Sequence, residues 1–378
     1  MTRKDVLIIG AGVAGASAAF HLATAGRKVA LIEKENEHTF NRCGGGMASV
    51  VQNWFPFDLK PIVDEVITRV EFSWNLSDQV IAELKGKSPF WIVKREELDN
   101  FITNKAVEAG AELIKPFNVQ EITQEEDTWI VSSKGERDIK GKSIVIADGS
   151  MSPWSKQFNL GPKKQHYAST ISIRLKERGN LSKGTSRFEF GLVPGGFSWA
   201  FPLMGGINVG AGTFIGTNNL NLEHVISKML IDLGINPIDK KEAIQTSKLR
   251  VWNGHSDIHG NGIIAVGDAA SLCDPFLAEG LRPSIMSGYE GAKAIDNWLR
   301  GESRDLSQYS KRMKSNWGNS MVWGKRISQI FYRLPRIGYQ LGVKRPTAPE
   351  RISQILSGEM SYEDISQRVI KRLLFKTK

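Results

Sequence analysis

Three glycines in the spacing Gly10-x-Gly12-x-x-Gly15 stand between an apolar run, Val6 to Ile9, and a stretch of small helix formers through Ala18, Ala19, Leu22 and Ala23. The chemistry of that spacing is phosphate binding. The first glycine permits a tight turn, the second lets the backbone approach a pyrophosphate, and the third lets the helix pack close against the strand. The start of the helix then presents unpaired N–H groups and the positive end of its dipole to phosphate oxygens. Glu33 ends the next apolar run, Val29 to Ile32, 18 residues after Gly15. A carboxylate there accepts from ribose hydroxyls. A glycine triplet alone is weak evidence; strand, helix and terminal acid together indicate a dinucleotide site.

Further along, the buried-type strand Ile144–Ala147 stops at Asp148-Gly149, and Gly262–Val266 leads into Gly267-Asp268-Ala269-Ala270. Glu279-Gly280-Leu281 follows, opening a helix expected from about Pro283 to Leu299. These elements favour FAD over NAD. Asp268 would lie beneath a ribityl chain, and the helix after Gly280 would aim its N-terminus at the flavin pyrimidine edge, where negative charge collects on reduction. Phe197, Trp199 and Phe201 alternate along one strand, which puts three rings on one face. That is a greasy slot or an ordinary core stripe, and periodicity alone favours the core. Cys43 begins Cys43-Gly44-Gly45-Gly46 and is either a silent small residue or a thiol that tunes the flavin and positions substrate. Its lack of hydrophobic neighbours favours the thiol. Cys273 reads as packing. Gly210-Ala211-Gly212 lies in a strand pattern with no helix after it, so it is not a second dinucleotide fold. An NAD(P)H donor must then dock without a Rossmann domain of its own, or a ferredoxin-like carrier replaces it. The six histidines show no metal-ligand spacing, so no metal is expected.

The elements that would position these residues form an α/β chain. A βαβ unit opens it, an irregular stretch runs from Asn41 to Phe57, and a helix runs from Arg95 to Ala109. Between about 165 and 255 the pattern changes to strands and turns: Thr170–Leu175, Arg187–Phe190, Ser198–Phe201 and Ile207–Thr213, with one helix near Leu222–Leu233. The expected division is a discontinuous nucleotide domain, 1–165 and 255–300, with 166–254 inserted as an antiparallel-sheet substrate domain. About 50–92 would pack with that insert, and 301–378 would be a basic helical region.

The glycine triplet, the Arg95-x-x-Leu98 helix, Asp148-Gly149 and Gly267-Asp268 together resemble the para-hydroxybenzoate hydroxylase-like flavoprotein superfamily over roughly residues 1–300. Within it, Cys43-Gly44-Gly45 and Phe197-Ser198-Trp199-Ala200-Phe201-Pro202 resemble segments of the geranylgeranyl reductases, where they lie beside the isoalloxazine ring and along the prenyl tunnel. The resemblance implies a Rossmann-type FAD-binding domain with an inserted antiparallel sheet. It implies an FAD-dependent oxidoreductase that saturates C=C bonds of a geranylgeranyl or other polyprenyl chain by hydride transfer from reduced flavin. It carries cofactor contacts to Gly10, Gly12, Ala14, Gly15, Glu33, Cys43, Gly44, Arg95, Val119, Asp148, Gly267, Asp268, Gly280 and Leu281. It carries substrate contacts to Phe197, Trp199 and Phe201, and a catalytic role to Cys43. The sequence departs from the family where Phe197 replaces a tyrosine, where Asn41-Arg42 precedes Cys43, and where Ala278 and Leu281 replace residues of a Gly-Glu-Gly-Ile run. A flavin monooxygenase of a hydrophobic or aromatic substrate shares the fold and is the alternative.

Composition narrows the class. The chain has 378 residues with 41% apolar and 24% charged, which excludes a largely disordered chain. No apolar run approaches the length of a membrane span, two cysteines exclude a disulfide framework, and the opening MTRKDVLIIGAG leaves no room for a signal peptide. A cytoplasmic protein is expected. The net charge of +10 lies wholly beyond Gly301, where 16 Lys and Arg meet 6 Asp and Glu. Such a tail suits an anionic partner such as acidic lipid headgroups, or is a solvated basic surface; nucleic acid is not expected. Trp323, Ile327, Ile330, Phe331 and Leu334 fall at helical spacing, with Lys325, Arg326, Arg333 and Arg336 opposite. That helix would lie at a membrane surface as a peripheral contact or pack its apolar face on the body.

Overall fold

The computed structural model describes residues 3–36, 43–86, 89–214, 221–237 and 244–367. The ending from Arg368 and the Asn41-Arg42 pair lie outside them. Val6, Leu7 and Ile8 are fully buried in the strand Lys4–Ile9, as an all-apolar run in a parallel sheet covered on both faces must be. That strand pairs in parallel with Val29–Ile32 on one side and Ile139–Ile146 on the other. Ile263–Ala265 and Glu112–Ile114 extend the parallel sheet outward, and the hairpin Glu121–Glu125 with Thr128–Ser132 joins it antiparallel. The helix Val13–Thr24 lies between the helices Arg95–Glu108 and Leu281–Leu299. A small residue on the last of these allows that approach: a Cβ on Gly288 would stand 2.5 Å from the Ala14 carbonyl oxygen.

The second sheet has seven strands in the order Gln245–Val251, His166–Leu175, Gly206–Thr213, Gly196–Leu203, Thr185–Phe190, Arg69–Trp74 and Ser77–Glu83. Five come from the strand-rich region of the sequence. Two come from a hairpin far upstream, and Arg69–Trp74 runs parallel to Thr185–Phe190. One face is covered by the helix Leu222–Asp232, whose Val225, Ile226, Met229 and Leu230 pack against Ile173, Ala200 and Val209. The other face carries aromatic rings. A small three-stranded sheet, Gly46–Ala48, Phe90–Val93 and Val63–Ile67, lies alongside. The stretch expected to be irregular therefore contains a strand and a 3-10 helix, Ser49–Trp54. The four strands expected between about 165 and 255 are present with longer bounds, Gly262–Val266 is shortened to Ile263–Ala265, and the late helix begins at Leu281 rather than Pro283.

The C-terminal region is helical: Ser307–Met313, a π turn at Lys314–Gly318, Asn319–Arg333, Pro335–Gly342 and Ala348–Leu356. Buried hydroxyls lash it to the body. Tyr309 donates to the Ala265 carbonyl at 2.7 Å, Tyr332 to that of Phe276 at 2.6 Å and Tyr339 to that of Asp78 at 2.6 Å. The apolar residues of the Asn319–Arg333 helix do not share one fate. Phe331 is buried, Trp323 and Ile327 are half-buried, and Ile330 is exposed, as is Leu334 just beyond. Lys325 does not point away from the body but donates to the Asn253 carbonyl and side-chain oxygens. Among the described residues no helix is long and apolar enough to cross a membrane.

Candidate functional site

A cleft of about 1030 Å³ opens between the two large sheets. At one end lies the glycine turn. Gly10 has φ +101°, and a Cβ there would sit 2.6 Å from the Ala147 carbonyl oxygen. A Cβ on Gly15 would come within 2.0 Å of the Gly10 carbonyl oxygen, whereas Gly12 faces open space. Gly12 is also the N-cap of the Val13–Thr24 helix, with no side chain satisfying its first N–H groups. Glu33 is already held in place: one carboxylate oxygen accepts from Ala11 N at 2.7 Å, the other from Lys34 N at 2.9 Å. These are the shape and donor set that a dinucleotide pyrophosphate and ribose need.

Along the cleft floor come Asp148, Asp268, Glu279 and Gly280, with Arg95 and Val119 on the wall. Burial pushes the Asp148 and Asp268 carboxyls up to about 6 each, against Ser152 and Arg250 for the first and Arg95 and Arg250 for the second. Burial pushes Glu279 up to about 7, with Arg282 opposing. Asp148 Oδ1 and Glu279 Oε1 are buried oxygens without a hydrogen-bond partner among the described residues. Such atoms are costly unless a ligand meets them. Arg95 opens its helix and pairs with Asp99 at 3.3 Å; burial works against its charge, but Asp99, Cys43 and Asp268 together hold it firmly protonated. Gly280 is the N-cap of Leu281–Leu299, again without a side-chain cap. Two uncapped helix starts thus face one cleft, and the residues fit FAD.

The other wall is aromatic. Phe197, Trp199 and Phe201 line it from Gly196–Leu203, with Phe188 5.7 Å from Phe197 and 5.3 Å from Phe201, ring centre to ring centre. Phe90 meets Phe201 at 6.2 Å. Cys43 and Gly44 lie between this wall and the floor. A Cβ on Gly44 would stand 2.9 Å from Trp199 Nε1, so only glycine lets the loop pass the indole. Gly210, in the strand expected to bind no nucleotide, makes room for the same indole, since a Cβ there would be 2.1 Å from the Trp199 ring. Cys273 is fully buried.

The structure brings nearly all the sequence-derived residues to this cleft. Gly15 and Gly267 are the exceptions; they do not line it but support it from behind, Gly267 with φ +61° against Ala14 and Ser284. Two positioning residues were given no role from the sequence. Asn208 accepts from Trp199 Nε1 at 3.1 Å and donates to the Cys43 carbonyl at 3.1 Å, tying the aromatic wall to the cysteine loop. Arg250, fully buried, donates to Ser155 Oγ at 2.6 Å, the Ser152 carbonyl at 3.0 Å and the Ala269 carbonyl at 3.1 Å. It joins the Asp148 turn to the Asp268 turn. No local motif marks Arg250, and although Ile207-Asn208-Val209-Gly210 suits the geranylgeranyl reductases, that segment alone gives the amide no partner.

Comparison with known proteins agrees with this geometry. Residues 4–180 match the pyridine nucleotide-disulphide oxidoreductase family. The chain is 26% identical over 333 residues to the digeranylgeranylglycerophospholipid reductase of Methanocaldococcus jannaschii, covering 82% of each chain. Among solved structures, a geranylgeranyl bacteriochlorophyll reductase-like protein from Thermoplasma acidophilum superposes with a TM-score of 0.77 at 20% identity, over 94% of this chain and 92% of that one. The halogenase PltM in complex with phloroglucinol and FAD shares the fold at a TM-score of 0.68 and 16% identity, over 87% of this chain and 76% of its own. The resemblance to geranylgeranyl reductases and the FAD-type α/β fold are borne out.

Proposed function

From the premise that this chain is similar over four-fifths of its length to digeranylgeranylglycerophospholipid reductases, we propose that it is an FAD-dependent oxidoreductase saturating C=C bonds of a geranylgeranyl or related polyprenyl lipid. One observation supports the reading above the others: the phosphate-binding turn, the Cys43 loop and the aromatic wall open onto one cleft. Gly10, Gly12 and Ala14 would hold the pyrophosphate and Glu33 the ribose. Arg95, Val119, Asp148, Asp268, Gly280 and Leu281 would enclose the rest of the cofactor. When bound and reduced, FAD supplies a hydride.

The side chains of this chain do the remaining work. Phe197, Trp199 and Phe201 offer apolar surface to an isoprenoid and keep water from the alkene. An isolated alkene accepts hydride poorly, so a proton must reach its second carbon in step. Holding both partners at reacting distance in a dry slot is the main contribution of the protein. Cys43 is the proposed catalytic side chain, positioning substrate at that point. The electron donor is NAD(P)H docking without a domain of its own, or a ferredoxin-like carrier.

Product mass tests the reading. The protein, reduced anaerobically with dithionite, is given a geranylgeranyl lipid, alongside an aerobic reaction with NADPH. Products that gain pairs of hydrogens without oxygen are expected. Oxygen incorporated only in the aerobic reaction would make the protein a monooxygenase and overturn the assignment of the aromatic wall.

A further inference from the structure

Between Asn319 and Thr347 the chain carries six Lys and Arg and no Asp or Glu. The helices Asn319–Arg333 and Pro335–Gly342 hold this stretch. Their inner side is fully engaged: Phe331 meets Phe190 at 5.1 Å and Phe276 at 5.3 Å, and Tyr339 is fully buried. The outer side is apolar. Ile330, Leu334, Ile337 and Leu341 are 69%, 55%, 53% and 56% exposed. They stand where the two helices meet: the first ends at Arg333, Leu334 breaks the helix with φ −128° and ψ 61°, and the second begins at Pro335, with Leu334 N donating to the Ile330 carbonyl at 3.2 Å and Gly338 N to that of Leu334 at 2.8 Å. Arg326, Arg333 and Arg336 flank the row and are exposed, Arg326 stacking over Trp323 at 4.8 Å.

We propose that this row is the face by which the protein lies on an anionic lipid bilayer. The four aliphatic side chains enter the boundary between headgroups and acyl chains, and the three arginines pair with lipid phosphates. Charge selects this occupant over a second copy of the chain, since two such faces would oppose arginine rows with no carboxylate from residues 319–347 to answer them. The face also backs the cleft: Phe190, which Phe331 touches, meets Phe197 at 6.0 Å. A membrane-borne prenyl chain would be delivered close to the aromatic wall, although docking itself does not rest on that substrate.

Cosedimentation of the full chain with vesicles tests the proposal, using phosphatidylcholine alone and phosphatidylcholine with phosphatidylglycerol. Two variants are compared with the parent: Ile330→Ser with Leu334→Ser, Ile337→Ser and Leu341→Ser, and Arg326→Gln with Arg333→Gln and Arg336→Gln. All these positions are exposed, so FAD content and turnover of detergent-dispersed substrate are expected to hold. The parent should prefer anionic vesicles, the serine variant should lose about tenfold or more in binding, and the glutamine variant should lose the preference for anionic lipid. A parent that ignores vesicles, or a serine variant that binds like the parent, overturns the proposal. So does a parent that ignores vesicles but dimerises, with the serine variant monomeric. Vesicle binding without turnover upholds docking and defeats the prenyl reductase reading instead.

Discussion

Asn208 serves two parts of the site with one side-chain amide, and both of its partners come from elsewhere in the chain. Asn208→Ala should cost about 1–3 kcal/mol, the usual penalty for leaving a buried indole N–H and carbonyl unmet. A fall in denaturation midpoint with a shift in tryptophan emission would report it. An unchanged midpoint would mean that water replaces the amide. Cys43→Ala should leave FAD bound while changing rate or site selectivity; product patterns and rates equal to the parent would remove the thiol from the mechanism. Gly10, Gly12 and Glu33 were legible in the sequence because they act locally, in a turn and at the end of the next strand. The roles of Asn208 and Arg250 were not, because strand register and sheet packing choose their partners.

Ala278, just ahead of the helix Leu281–Leu299, holds φ at +57°, a left-handed conformation that glycine adopts without strain. The departure from Gly-Glu-Gly-Ile noted in the sequence is thus a strained link in the element that aims a helix start at the cleft. Ala278→Gly should relieve it and stabilise by up to about 1 kcal/mol, the gain being trimmed by the greater freedom of glycine in the unfolded chain. A small rise in melting temperature checks this; a fall would show that the methyl group is needed for packing. Elements built from buried apolar runs were legible: Val6–Ile9, Val29–Ile32 and Ile144–Val145 are all buried. The hairpin was not, because Ser77–Glu83 is a mostly exposed, polar edge strand. In the C-terminal helix, spacing revealed an apolar side but could not divide it between Phe331, which faces the body, and Ile330, which faces out.

Over the whole molecule, Asp148, Asp268 and Glu279 hold protons in the fold at a pH where the unfolded chain has released them. The folded state therefore binds more protons. The stability they contribute is full below about pH 4 and is lost as pH rises through 6 to 7, on the order of 2–3 kcal/mol for each group. Half-buried His21 works the other way: loss of solvent, aided by Lys293, lowers it to about 4, so its contribution is lost as pH falls from 6.5 toward 4. Comparison with a D148N/D268N/E279Q variant separates the two. Urea midpoints of the FAD-free proteins should differ in slope between pH 4.5 and 7.5, the variant losing the decline; identical slopes would place the carboxyl protons elsewhere. The interleaving of the two large sheets has a consequence for biosynthesis. One needs Lys4–Ile9 and Ile263–Ala265, the other Arg69–Trp74 and Gln245–Val251. A chain leaving the ribosome can complete neither sheet until roughly two-thirds of it has been made, and no cut between residues 74 and 245 would release a self-sufficient half.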